Sequence, residues 1–298
     1  MSWKAIARSA MGTSHQKQEM PCQDYGSYKI LDDVIIGAVA DGAGSAKYAD
    51  IGAKLAVKTA LEAFTDEDIS KITESLHSES SESRNQSSWS WKSLTSFKTK
   101  DRNGFSSVAI HQPQSHSEQE VRQIFTKTVQ KVRVALEKRA ANNNYSFDDL
   151  ACTLLVFIAT PDWVTAMQIG DGFIVLRCQE EDTQLLFPPD KGEYINETTF
   201  VTSDNALEAM RVCVKKGKPE FICASTDGLE RLAIRMSDWT PFIPFFQPLE
   251  QYLRETSNPE EEDEYLKSFL NSDRLNARTD DDKTLLLCFY DSSTNSCE

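Results

Sequence analysis

Four short apolar runs in this chain end at, or begin from, an aspartate, and that recurrence limits the folds open to it. Val34-Ile35-Ile36-Gly37-Ala38-Val39-Ala40 runs into Asp41-Gly42-Ala43-Gly44-Ser45. Gln168-Ile169-Gly170-Asp171-Gly172 separates two middle runs, Ser225-Thr226-Asp227-Gly228 follows a later one, and Asp280-Asp281-Asp282-Lys283-Thr284 opens the last. Apolar runs this short, bounded by turn residues, read as buried strands. Residues 153–158 and 163–167 flank Thr160-Pro161-Asp162, the signal of a hairpin, and hairpin strands pair antiparallel. Further strands are expected at 173–176, 221–225 and 284–289.

Helical spacing appears outside this cluster. Tyr48, Ile51 and Leu55 lie on one face of an Ala-rich stretch from about 47 to 64. Val121, Ile124, Phe125, Val132, Ala135 and Leu136 mark a second helix, stopped by Asn142-Asn143-Asn144. Strands in sequence with long helices to either side argue for an α+β fold, helices layered over antiparallel sheets, and against a doubly wound parallel sheet. The whole chain, 1–298, is expected to be a single domain. Residues 65–118 break the pattern with a polar, Ser-rich stretch around Ser78-Glu79-Ser80-Ser81-Glu82-Ser83. It reads as a mobile insertion whose later part, with Trp89, Trp91, Phe97 and Phe105, docks on the domain.

Composition narrows the partners. A formal net charge of −14 and a pI near 4.8 give a surface that repels nucleic acid and anionic membranes. No apolar run reaches the ~18 residues needed to span a bilayer, and the N-terminus lacks an apolar signal core. The 7 cysteines include no C-x-x-C pair, and Cys152, Cys223 and Cys288 sit within apolar runs. They read as small buried hydrophobes, so neither a disulfide framework nor a zinc site is implied, and a cytoplasmic location is expected.

An Asp-Gly pair alone is a common turn. Strands of one sheet, however, present their ends along a common edge, so several of these carboxylates can converge. Converging carboxylates repel unless a cation neutralises them. Oxygen ligands without His or Cys suit hard cations such as Mg²⁺ or Mn²⁺. Two such ions, about 3.5–4 Å apart, clamp a phosphate and acidify a water between them. A rival reading takes Gly42-Ala43-Gly44, after a strand and before a helix, as part of a dinucleotide fingerprint. Lys47 stands in the place of its third glycine, and Asp41 would put negative charge against the pyrophosphate.

The ordered set Cys22-Gln23-Asp24, Asp41-Gly42-x-Gly44, Gly170-Asp171-Gly172, Asp227-Gly228 and Asp281-Asp282-x-Thr284 resembles the PP2C (PPM) metal-dependent Ser/Thr phosphatases, most of all the bacterial stand-alone type. The resemblance spans about 10–289, the 65–118 stretch excepted. It implies a four-layer αββα sandwich of two antiparallel β-sheets flanked by helices, and hydrolysis of protein phosphoserine and phosphothreonine through a two-metal-activated water. It also implies that Asp41 bridges two ions and that Asp227 and Asp281 complete the first site. The Gly42 carbonyl, with Asp24 of the Gln23-Asp24 pair nearby, serves the second, and Asp171 helps to hold a third, weaker one. Residues 190–218 match a variable flap beside the active site. A phosphorylated protein is the implied substrate, and a Ser/Thr kinase the partner whose work is reversed.

Three positions depart from the family pattern. Gln23 replaces a common Glu, which removes a charge from the second metal site. Ala43 stands where eukaryotic relatives carry a histidine often cast as general acid. The phosphate-binding arginine of many relatives has no clean match, although His15 or Lys17 lies in the right neighbourhood. His15 is therefore a candidate to contact phosphate or to donate a proton. The alternative is a catalytically weak or inactive relative acting as a regulatory or binding module, an idea that Gln23 keeps open.

Overall fold

The computed structural model of the protein describes residues 2–85, 116–188, 198–259, 261 and 263–292. Its strands are β1 (Ser2–Ala10), β2 (Tyr25–Leu31), β3 (Val34–Ala40), β4 (Leu154–Ala159), β5 (Trp163–Ile169), β6 (Phe173–Cys178), β7 (Gln184–Leu185), β8 (Arg211–Lys216), β9 (Pro219–Ser225), β10 (Ile234–Arg235), β11 (Thr240–Pro241) and β12 (Lys283–Asp291). They form two five-stranded sheets, ordered β1-β12-β9-β6-β7 and β2-β3-β4-β5-β8, and the small β10-β11 hairpin. Every strand pairing among the described residues is antiparallel. That removes the dinucleotide-binding alternative, because β3 has antiparallel neighbours on both sides and no parallel crossover follows it.

The helices are α1 (Thr13–Gln18), α2 (Ala49–Ala63), α3 (Asp66–Asn85), α4 (His116–Asn143), α5 (Ala206–Ala209), α6 (Glu230–Ala233), α7 (Ile243–Glu255), α8 (Glu264–Leu270) and α9 (Asp273–Asn276). Side chains alternate across a strand, so each sheet has two apolar faces to cover. The inner faces meet through Ile35, Val39, Phe157, Ile174, Ile222 and Leu286. One outer face packs Ile36, Val156 and Met167 against Ala53 and Val57 of α2 and Phe125 and Val129 of α4. The other packs Val175, Cys223 and Leu287 against Leu249 and Leu253 of α7 and Leu266 of α8. The result is the expected four-layer αββα sandwich.

Two segments differ from the sequence reading. The stretch expected as a polar insertion over 65–118 begins as α3, whose Ile72 and Leu76 are buried in the cluster that holds α2 and α4. Residues 86–115, with Trp89, Trp91, Phe97 and Phe105, lie outside the described residues. Within the segment read as a flap, residues 211–216 instead form an edge strand, β8, paired with β5 along its full length. Residues 189–197 of that segment also lie outside the described residues.

Candidate metal centre

The strand-end aspartates come together. Asp41, Asp171 and Asp227 each place a carboxylate oxygen within 4.8 Å of the others. Asp41 follows β3, Asp171 lies between β5 and β6, and Asp227 follows β9, so both sheets contribute. The turns are built for this approach. Gly170 has φ +103°, and a Cβ there would come within 2.5 Å of Thr153. A Cβ on Gly228 would sit 1.9 Å from the Asp282 carbonyl oxygen, so only glycine lets the Asp227 turn press against the start of β12. The Asp41 amide donates to Thr153 Oγ1 at 2.9 Å, while the Thr153 amide donates to the Asp41 carbonyl at 2.8 Å.

Asp24 and Asp281 adjoin the trio. Asp24 is buried, its charge acts on Asp41, and its Oδ2 accepts from Thr226 Oγ1 at 2.6 Å. Asp281 stands outside the tightest three, on the open side, but its charge acts on both Asp41 and Asp227. The sequence reading grouped Asp41 with Asp227 and Asp281; here Asp171 takes the closer place. Gly42 is buried, and its amide donates to the Gln23 carbonyl at 3.2 Å, which ties the Gln23-Asp24 segment to the Asp41 turn.

The electrostatics favour a cation. Burial pushes the Asp41 carboxyl well above the carboxylate range, and the neighbouring charges of Asp24, Asp227 and Asp281 push it further. Burial, then Asp171 and Asp281, raises Asp227 to about 7. Burial likewise raises Asp24, against the hydrogen bond from Thr226. Five buried side-chain polar atoms among the described residues lack a hydrogen-bond partner, and three of them, Gln23 Oε1, Asp24 Oδ1 and Asp171 Oδ1, belong to this site. Orphaned acceptors beside mutually repelling carboxylates are the signature of a place meant for positive charge. The donor set is all oxygen and fits Mg²⁺ or Mn²⁺.

Several contributing residues escaped the sequence reading. Thr198 Oγ1 donates to Asp171 Oδ2 at 2.6 Å. Thr226 Oγ1 links Asp24 to the amide of Thr284, from which it accepts at 3.1 Å. Lys283 is fully buried, and its Nζ donates to Asn276 Oδ1 at 3.1 Å and to the Asp281 carbonyl at 3.2 Å. Asp282, only 2% exposed, gathers three hydrogen-bond partners around its carboxyl group. One of them is His15, whereas Lys17, the other candidate for the missing arginine, is exposed. Only the position of Asp282 between Asp281 and a strand start could have signalled it.

A sandwich of two antiparallel sheets between helices, with aspartates from both sheets converging in an all-oxygen pocket, defines a metal-dependent phosphatase of the PP2C type. The chain belongs to that family: the protein phosphatase 2C profile matches residues 11–271. It is similar to serine/threonine-protein phosphatase 3 of Escherichia coli (strain K12), with 32% identity over 297 residues, covering 97% of this chain and 99% of that relative. The fold is shared with the S. agalactiae serine/threonine phosphatase, at TM-score 0.55 and 11% identity, over 97% of this chain and all of that one. It is also shared with the catalytic domain of the serine/threonine protein phosphatase PstP in complex with 2 manganese ions, at TM-score 0.50 and 13% identity, over 96% and 97% of the two chains. The chain is thus a protein serine/threonine phosphatase, and its substrates are phosphoproteins. No helix among the described residues is long and apolar enough to cross a membrane.

Proposed function

We propose that the pocket around Asp41 is the catalytic centre and that it works with two divalent cations, Mn²⁺ or Mg²⁺, and a third, weaker one. Asp41 would lie between the two main ions, Asp227 and Asp281 on the first, and the Gly42 carbonyl with Asp24 beside the second. Asp171 would serve the third. Bound cations supply the charge that neutralises the phosphoryl oxygens and lowers the pKa of an attacking water. The chain's own part is to hold that arrangement ready. Thr226 and Thr284 fix Asp24, Thr153 fixes the Asp41 turn, and Lys283 fixes the backbone of Asp281. His15, pinned at Nδ1, contacts the phosphate or donates a proton. A preorganised set of this kind does not reorganise as charge develops, which is the main source of its catalytic power.

The observation that carries this reading is the convergence of Asp41, Asp171 and Asp227 within 4.8 Å. The remaining context follows the same logic. The chain acts as a single domain, and its counterpart is a Ser/Thr kinase that makes the phosphoesters it removes. Six described cysteines are free, four of them buried, which suits a reducing cytoplasm.

The test is hydrolysis of a phosphoserine peptide over a titration of Mn²⁺ and of Mg²⁺. Turnover should appear only with metal, and Asp41→Asn should reduce kcat by about 10²–10³-fold, the scale of losing a charge-stabilising group in such a site. No turnover at any metal concentration would instead mark a non-catalytic binding module.

A further inference from the structure

The two oxygens of Asp171 are in different situations. Oδ2 accepts from Thr198 Oγ1 at 2.6 Å, while Oδ1 is buried and has no hydrogen-bond partner among the described residues. A carboxylate tethered at one oxygen cannot turn freely, so the other keeps a fixed direction. Asp171 is also one of the three aspartates that meet within 4.8 Å. What holds Thr198 therefore bears on the shape of the metal pocket.

Thr198 begins a stretch, residues 198–210, whose only regular element is the single turn of α5. Buried irregular backbone must find donors for its carbonyls elsewhere. Here they come from α4. Arg133 Nη1 donates to the Val201 carbonyl and, at 2.7 Å, to that of Ser203. Arg122 donates to the Met210 carbonyl at 3.0 Å and to the Leu207 carbonyl at 3.3 Å. The two arginines are about three helical turns apart, so they share one face of α4, about 16 Å from each other. A guanidinium stays charged and offers its donors in a fixed fork, which suits it to gripping carbonyls. That of Arg133 also lies over Phe147, 5.3 Å from the ring centre. On its other side the stretch rests on the Asp41 turn. The Val201 amide donates to the Cys152 carbonyl at 2.8 Å, next to the Thr153 that holds Asp41. Phe200 packs on Ala43, Ala46 and Ala49, just past Asp41.

We propose that Arg133, with Arg122 earlier on α4, is a positioning residue of the metal pocket. Its grip on the Val201 and Ser203 carbonyls keeps Thr198 against Asp171, and so fixes where the Asp171 carboxylate stands for an incoming cation. This deepens the reading of the Asp41 pocket as the catalytic centre and rests on it. The coupling runs both ways, because a cation that orders Asp171 also tightens the Thr198 stretch on α4.

A double-mutant cycle on the full chain tests this, with Mn²⁺ affinity read by calorimetric titration. Thr198→Val removes the hydroxyl at nearly constant volume. It should weaken the weakest-bound Mn²⁺ by about 10–100-fold, the usual cost of losing the partner of a ligating carboxylate. Thr198→Ser keeps the hydroxyl and should keep most of that affinity. Arg133→Met keeps much of the stem without the donors and should weaken the same ion. Because it acts through Thr198, it should add less than about twofold in the Thr198→Val background. Losses that multiply in the double variant would overturn the proposal, since the arginine would then act independently of Thr198. In the unaltered chain Mn²⁺ should also slow hydrogen exchange at the Val201 and Ser203 amides by about fivefold or more, and much less in Thr198→Val. Exchange slowed equally in both would contradict the coupling. Unchanged Mn²⁺ affinity in Arg133→Met and Thr198→Val would overturn the positioning role and leave the pocket standing. An unaltered chain that binds no Mn²⁺ would overturn the pocket itself. If Arg133→Met fails to fold, Arg133→Lys, which replaces the fork by a single ammonium, takes its place in the same cycle.

Discussion

Asp227 illustrates what the site costs the protein when no cation is present. Its carboxyl is raised to about 7, by burial first and by Asp171 and Asp281 next, while in the unfolded chain it titrates near ~4. Between these values the folded state holds a proton that the unfolded state releases. The stability tied to that proton is full below about pH 4 and is lost as pH rises through about 7. Asp24 and Asp41 shift in the same direction. Chemical denaturation in EDTA should therefore show a midpoint that falls from about pH 5 to pH 8, and Mn²⁺ should restore more of it at the higher pH. A midpoint that climbs over that range would mean that these groups are paired with positive charge already. The four aspartate motifs were legible in the sequence because each interrupts an apolar run at a strand edge. Asp282 was not, since nothing in three successive aspartates tells which one adjoins the Asp41 pocket and which one faces Gly12, His15 and Gln23. Those partners lie at least 259 positions away, and only folding brings them in.

At the scale of elements, the interior strands declared themselves and the outer ones did not. β3, β4 and β5 are buried at every position, so hydrophobic continuity alone marks them. β2 and β8 are partly exposed throughout, and their mixture of Lys, Ser and Val carries no clear period. β1 is hidden by its alanines, although it pairs with β12 over nine residues. α3 was hidden by composition, because a Ser- and Glu-rich helix needs only a narrow apolar stripe to dock. That stripe includes Ile72, fully buried, and Leu76. Ile72→Ala should destabilise the protein by about 2–5 kcal/mol, as a buried large-to-small change does. An effect below about 0.5 kcal/mol, measured by denaturant unfolding, would mean that α3 is not part of the core. Further along, α4 clamps the segment after Thr198. Arg122 donates to the carbonyls of Met210 and Leu207, and Arg133 to those of Val201 and Ser203. The Thr198 hydroxyl that holds Asp171 is thereby carried on a braced support.

The molecule as a whole sets the field in which substrates arrive. With a net charge of −14, it repels acidic phosphopeptides and attracts basic ones. At low ionic strength kcat/KM should be higher for a phosphoserine flanked by lysines than for one flanked by glutamates. The gap should close as salt approaches ~1 M, where screening acts over about 3 Å. A preference unmoved by salt would place the discrimination in direct contacts. All of this turns on whether the converging aspartates of the two sheets hold metal. Anomalous diffraction from crystals soaked in manganese decides it: the account predicts manganese peaks beside Asp41, one of them held by Asp227 and Asp281, with Asp171 at the margin. A well-ordered pocket without manganese, or manganese bound only elsewhere on the protein, would contradict it.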